Sequence, residues 1–372
     1  MEVLKTGKDI PGYSPPAEVG SPRADRRRAV RSGLLAAFLA LTVLAALAGC
    51  SGSDVRREAA DSSTEPIYWP KPPEPARIAY LRLIERPRDV GVKKGIFTRL
   101  VELVVGARLD AIVKPYGMTV DSAGRLIVAD TALKRIHIFD IEKNRYSFIE
   151  AAGKTDFLSP IGVAVDDHDN IYMTDSMLGR VFVFNKKRKF LKSFDAGKRP
   201  TGIAYGKSGK LFVADTSSHM VSIFDTDGGD LGTVGGWGEG EGQFNLPVDV
   251  FTDGRGEVYV VDAMNYRIQI FNEDGEYVTS FGHHGDGTGD FGRPKGVAVD
   301  SDGNIYVTDA LFDTVQIFDR EGTYLLSFGT LGRRPGNLWL PSGLFIDGQD
   351  RIYVADSYNK RVQVFEYLGS GS

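Results

Sequence analysis

Two residue types recur down this chain in step with each other, and the recurrence restricts what it can fold into. A proline opens an apolar run at Pro115, Pro160, Pro200, Pro247, Pro294 and Pro341. An aspartate closes the following run at Asp130, Asp175, Asp215, Asp262, Asp309 and Asp356. Both series advance by 45, 40, 47, 47 and 47 residues. The clearest copy begins Pro294-Lys295-Gly296-Val297-Ala298-Val299-Asp300 and continues through Ile305-Tyr306-Val307-Thr308-Asp309 and Val315-Gln316-Ile317-Phe318-Asp319 to a last run over 323–329. Each run is short, alternating or β-branched, and bounded by Gly, Asp or Asn, which predicts four strands joined by tight hairpins. The 44 glycines suit turns that need positive φ.

Six four-stranded units at this period imply a six-bladed β-propeller, in which radial packing leaves only short, protected edges. The sixth copy stops after its third strand, Arg361-Val362-Gln363-Val364-Phe365-Glu366, whereas an alternating segment, Ala76-Arg77-Ile78-Ala79-Tyr80-Leu81-Arg82-Leu83-Ile84, precedes the first copy. That segment is expected to supply the missing outer strand of blade six. The expected fold is all-β, closed by this N-terminal strand. One short helical insertion is expected over 95–106, with Ile96, Phe97, Leu100, Val101 and Val104 on its apolar side.

The first fifty residues have a different character. A basic stretch over 23–31 precedes an almost wholly apolar stretch over 34–48. Fifteen helical residues span about 22 Å, short of the ~20 residues a bilayer crossing takes. This is the pattern of a secretory signal. It ends Leu47-Ala48-Gly49-Cys50, which resembles the bacterial lipobox, and Cys50 is the single cysteine of the chain. The resemblance implies cleavage before Cys50 and lipidation of its thiol, with Ser51 suiting sorting to an outer membrane in a cell that has one. The expected plan is a signal peptide over 1–49, a flexible tether over 50–75, a propeller over 76–367 and a tail over 368–372. Without the leader the chain has 38 basic and 45 acidic residues, a net charge of −7. That balance argues against a nucleic-acid partner.

The runs Pro-x-Gly-Val-Ala-Val-Asp, Ile-Tyr-Val-x-Asp and Arg-Val-x-Val-Phe, the last at 361–365, resemble the NHL repeat. The Asn-His-Leu trio that names the family is degenerate here, and the Gly-His and Trp-Asp pairs of WD40 propellers are absent. The resemblance covers residues 113–367 and is strongest to six-bladed NHL lipoproteins of bacteria.

Several side chains are candidates for chemistry. The spacing Asp-x4-Arg appears as Asp130/Arg135, Asp175/Arg180, Asp262/Arg267 and Asp356/Arg361, and is read as a structural pair of carboxylate and guanidinium. Met220 and Thr314 break it in blades three and five, which marks Asp215 and Asp309 as unpartnered candidates for ligand contact. Phe157, Phe244, Phe291 and Leu338, each three residues before an opening proline, are read as packing between blades. Trp237 and Trp339 in the long inter-blade connections, with Tyr266, Phe312 and Tyr358 in the loops between second and third strands, are expected on one ligand-binding face. His283 and His284 are weak metal candidates that lack further ligands at zinc spacing. The Asp-rich turns at 166–170, 225–230 and 300–304 lack the closing Glu of a calcium loop and read as hairpins.

No cofactor is expected, and no Gly-x-Ser-x-Gly, His-Glu-x-x-His or phosphate-binding loop occurs. The reading favoured is a non-catalytic binding or scaffolding lipoprotein. Its partners would be protein or carbohydrate on the loop face and a membrane through the lipid. The rival implied by the resemblance is a metal-dependent lyase or hydrolase acting in the central channel.

Overall fold

The apolar runs pair in the register that the proline and aspartate markers set. The computed structural model describes residues 66–93 and 110–369. Pro115 lies opposite Asp130, Pro160 opposite Asp175, Pro200 opposite Asp215, Pro247 opposite Asp262, Pro294 opposite Asp309 and Pro341 opposite Asp356. A proline is tolerated there because the first residue of a strand can forgo a ladder donor. Beside this proline–aspartate pair every blade has a β-bulge, which bends the inner strand and re-aims its side chains.

Blades one to five are four-stranded antiparallel sheets, and blade six carries a fifth, short strand. The six innermost strands are Pro115–Val120, Pro160–Val165, Pro200–Tyr205, Pro247–Thr252, Pro294–Val299 and Pro341–Ile346. Each packs against the next, and the last packs against the first, so the ring is closed. The core lies between the blades. Tyr172, Tyr259, Tyr306 and Tyr353 occupy one repeat position and are fully buried between sheets. Their hydroxyls donate to Asp166, Asp253, Asp300 and Asp347 at 3.0, 3.2, 2.9 and 3.0 Å. Asp166 and Asp300 also accept backbone N–H groups within their own turns, so they serve as hairpin residues.

The aspartates that end the second strands are stapling points. Asp130 accepts the Val113 and Lys114 N–H groups at 2.7 and 3.2 Å, and those of Ala132 and Leu133 at 3.0 and 2.9 Å. Asp175 does the same for Leu158, Ser159, Met177 and Leu178. Asp215 takes Lys198, Arg199 and Ser218, and Asp309 takes Gly292, Arg293, Leu311 and Phe312. In blades four and six the Asn245 and Trp339 N–H groups fill this place. All six carboxylates are buried, and each ties the approach to its blade to the loop that follows it. Phe157, Phe244, Phe291 and Leu338 are buried as well. The three phenylalanines lie against the third strand of the blade they precede, through Phe182, Phe271 and Phe318 at 5.7, 5.6 and 5.4 Å.

The seam lies in blade six. Strand Ile78–Ile84 pairs antiparallel with Arg361–Tyr367, placing Tyr80 opposite Phe365 and Ile84 opposite Val362. The expected closing strand is therefore present. The expected tether is shorter than read, because Tyr68–Trp69 adds a further strand outside it. Trp69 packs on Phe328 and Phe365 at 5.8 and 5.7 Å, an apolar contact that draws this part of the chain into the propeller. A short 3-10 turn, Pro87–Val90, follows the closing strand and buries Val90. The expected helix over 95–106 and the leader with Cys50 lie outside the described residues.

Ile78 and Ile84 are fully buried in the seam, and each contributes roughly 1.5–3 kcal/mol. A chain starting at Gly91 is expected to melt on the order of 10 °C below one starting at Pro66, and to aggregate through the exposed edge of blade six. Equal melting temperatures by calorimetry would show that the ring does not depend on this seam.

Candidate functional site

Because the inner strands sit side by side around one axis, equivalent positions form layers along the channel. One residue before the prolines stand Lys114, Ser159, Arg199, Leu246, Arg293 and Leu340. One residue after them stand Tyr116, Ile161, Thr201, Val248, Lys295 and Ser342. The next layer is Gly117, Gly162, Gly202, Asp249, Gly296 and Gly343. A Cβ at any of the five glycines would collide with the backbone of the following blade, so close approach requires glycine there. Asp249 is the exception and brings a carboxylate into the neck.

Two cavities meet at this level. The channel encloses about 530 Å³ and is lined in part by Tyr116 and Asp249. The mouth on the side of the loops between second and third strands encloses about 730 Å³. Lys114, Arg293, Lys295, Arg333, Tyr358 and Lys360 are among its lining residues, and Tyr116 lines both cavities. The charged ends of Lys114, Arg293, Lys295 and Lys360, and of nearby Arg199, have no ion pair or hydrogen bond among the described residues. Burial, with added repulsion from Arg293 and Arg199, pushes the Lys295 ammonium down to about 8. Glu239, Glu241 and Asp286 stand exposed in the long connections and do not line the mouth. Beside it, Asp313 accepts the N–H of the lining residue Leu340 at 2.6 Å, and Asp309 acts on Lys295 against the depression. Met177, Met264, Leu311 and Tyr358 hold one equivalent loop position and are all exposed, so the basic mouth has an apolar rim.

Deeper in, Asp249 and Tyr116 keep a surface open to the channel but are surrounded by protein. One Asp249 oxygen accepts the Val297 N–H of the next blade at 3.3 Å. Burial pushes its carboxyl up to about 7, and the hydrogen bonds from Val297 and Val250 do not offset this. The Tyr116 phenol is pushed up to about 12, by burial first and then by Asp249, with Arg199 and Arg293 opposing.

The residues singled out from sequence have mixed fates. Asp262/Arg267 and Asp356/Arg361 pair at 2.9 and 2.7 Å. There the long connection into the blade, over 236–246 or 329–340, curls over and offers carbonyls to the guanidinium, from Gly240 and Gln243 to Arg267 and from Arg333, Arg334 and Asn337 to Arg361. Gln269 and Gln363 join the same carboxylates at 3.1 and 2.9 Å, a third member of the motif that pairwise spacing missed. The other two pairs do not form. Asp130 is met by His137 Nε2 at 3.3 Å, while Arg135 lies over Phe148 and reaches Glu150. Arg180 turns outward to Asp195 at 3.6 Å, and the position that holds Gln in blades four and six is Phe182 in blade two. Asp215 and Asp309 are not open to ligand, since backbone N–H groups occupy both.

Trp237, 75 % exposed, Tyr266, Phe312, Trp339 and Tyr358 do not converge on one platform. Trp339 packs on Tyr358 at 4.2 Å in a tilted arrangement with Arg333 over its ring, and Tyr266 lies against His284 at 4.3 Å. Of the five, Tyr358 alone lines the mouth. His283 pairs with Asp290 at 2.6 Å, and no three His, Cys, Asp or Glu side chains converge as metal ligands among the described residues. The mouth cations and Asp249 were missed because the signal lies across the repeats, in one column of the aligned blades.

A segment over 250–322 matches a family model described as a 6-bladed beta-propeller, and 198–224 and 338–365 match the NHL repeat. The chain is an NHL-repeat six-bladed β-propeller. No curated protein matches it. Among solved structures it is similar to a catalytically inactive virginiamycin B lyase from Staphylococcus aureus crystallised with quinupristin, at 14% identity and a TM-score of 0.52, covering 68% of this chain and 95% of that one. It is also similar to an auxiliary nutrient binding protein from Bacteroides thetaiotaomicron, at 11% identity and a TM-score of 0.56, over 70% and 71% of the two chains. Hydrazine synthase from Kuenenia stuttgartiensis aligns at 12% identity and a TM-score of 0.51, over 69% and 96%. At these identities the likeness is one of fold, and the neighbours differ in function.

With its pKa raised above the unfolded value, Asp249 keeps a proton in the folded state that the unfolded chain releases from about pH 4 upward. Its contribution to stability is therefore complete at low pH and lost as pH rises towards about 7. Asp249→Gly, the residue five blades already carry, is expected to gain in melting temperature over the parent as pH rises through that window. A difference independent of pH would mean that Asp249 titrates as an ordinary surface carboxyl.

Proposed function

We propose that this NHL propeller is an exported, lipid-anchored binding module whose basic mouth captures a protein or carbohydrate carrying carboxylate, phosphate or sulfate groups. The observation that carries the reading is the set of cations around one end of the channel that have no ion pair among the described residues, in a protein body of net negative charge. Burial first, and then repulsion from Arg293 and Arg199 with Asp309 opposing, disfavours the Lys295 ammonium. An anionic ligand relieves that repulsion, while the exposed apolar rim adds contact area around it. The anchor reading rests on Leu47-Ala48-Gly49-Cys50 and the apolar run before it.

The mouth is tested with a polyglutamate peptide and a sulfated oligosaccharide, each against a neutral counterpart, by fluorescence anisotropy. At least one acidic probe is expected to bind, more weakly as salt rises. Joint replacement of Lys114→Ser, Arg199→Ser and Arg293→Ser is expected to weaken it about tenfold, or ~1.4 kcal/mol. Serine is what blade two carries at this position, as Ser159, so folding is preserved. Equal binding of neutral probes, or full binding by the triple variant, overturns the reading. The anchor is tested in cells of the source type, where Cys50→Ala is expected to move the protein out of the membrane fraction or leave it unprocessed. Unchanged processing and partitioning would remove the lipid from the proposal.

A further inference from the structure

The neck holds charges of opposite sign that do not neutralise each other. Lys295 of blade five stands one layer above Asp249 of blade four, a rise of about 3.3 Å along the strands. No ion pair or hydrogen bond joins the two side chains, although they line cavities that meet at Tyr116. Above them Arg199 and Arg293 add positive charge, and no acidic side chain lines the mouth cavity itself. Below Lys295 the Asp249 carboxyl lines the channel in a ring otherwise made of glycine. The Tyr116 phenol stands between the two regions, under the influence of Asp249 on one side and Arg199 and Arg293 on the other.

Glycine in five of the six blades shows that the ring needs no side chain at this position. A carboxylate in the neck is pushed up in pKa by burial, and the backbone N–H groups it accepts, from Val297 at 3.3 Å and from Val250, do not offset that. Structure alone does not account for it, whereas a ligand bearing a positive charge does. A simple anion would be held at the mouth and repelled further down. A ligand with an anion at one end and an ammonium at the other meets complementary groups at both levels.

We propose that mouth and neck form a single site for a zwitterion, with its phosphate or carboxylate held by Lys295, Arg199 and Arg293 and its ammonium by Asp249, Tyr116 accepting a hydrogen bond from it. This rests on the reading of the mouth as an anion site and adds the class of ligand. At pH 7 an ammonium beside Asp249 favours the ionised carboxyl, so binding of the amine arm releases a fraction of a proton.

The probes are ethyl phosphate, O-phosphoethanolamine and its longer homologue 3-aminopropyl phosphate, titrated calorimetrically into the full-length protein in two buffers of different ionisation enthalpy. At least one aminoalkyl phosphate is expected to bind about tenfold or more tightly than ethyl phosphate, and to release protons relative to it. In Asp249→Gly that advantage and the proton release are expected to vanish while ethyl phosphate binds as before, with a melting curve confirming the fold. Equal affinity of amine-bearing and amine-free probes for the parent overturns the zwitterion site and leaves the mouth reading standing. So does an advantage that survives in Asp249→Gly. If none of the three binds at concentrations up to about 10 mM, mouth and neck readings fall together.

Discussion

The ring depends on a buried carboxylate doing the work of a turn, six times over. Each aspartate at the end of a second strand accepts N–H groups from the chain entering its blade and, in most blades, from the loop leaving it. Backbone donors in such loops have no ladder partner, and leaving them buried and unmet is costly. A charged acceptor bonds them more strongly than a carbonyl does. Since the opening proline lies directly across from the same aspartate, one residue fixes both the start of the blade and its register. With these points held, the bulges and the close glycine contacts of the neck follow.

Much of this was legible in the chain. The period, the strand count, the hairpin turns and the closing strand follow from local pattern, because alternation and turn chemistry are properties of neighbouring residues. The Asp/Arg pairs were half legible. Asp356 and Arg361 meet because the long connection over 329–340 supplies carbonyls around the guanidinium, and Asp175 and Arg180 lack that cover despite the same spacing. Asp215 and Asp309 looked free because the sequence does not display backbone donors, which turned out to be their partners. The mouth escaped a linear reading altogether. Lys114, Arg199 and Arg293 lie far apart along the chain and become one cluster only when the blades are set side by side.

The two ends of the channel differ in how their charges are managed. At the hairpin end, Asp166, Asp300 and Asp347 are engaged by their own turns and by buried tyrosine hydroxyls. At the loop end Lys114, Arg293, Lys295 and Lys360 have no ion pair or side-chain hydrogen bond among the described residues. A repeat fold makes this division natural. Positions that maintain the blade are the same in every copy, and positions that vary between copies are free to serve a ligand. Asp249 and Lys295 belong to the second kind, as does Tyr358.

The seam joins residues 78–84 to residues 361–367, so every hydrogen bond across it spans nearly the whole propeller. During synthesis strand Ile78–Ile84 must wait for its partner Arg361–Tyr367 until nearly the whole propeller has emerged. The entropy of closing so long a loop grows only with the logarithm of its length, so the delay costs little at equilibrium. It matters for kinetics. Contacts this distant in sequence form late, so blades one to five can assemble while blade six remains three strands with an open side. Closure of the ring therefore waits on residues 361–367, and the channel with its two mouths is complete only once they have joined residues 78–84.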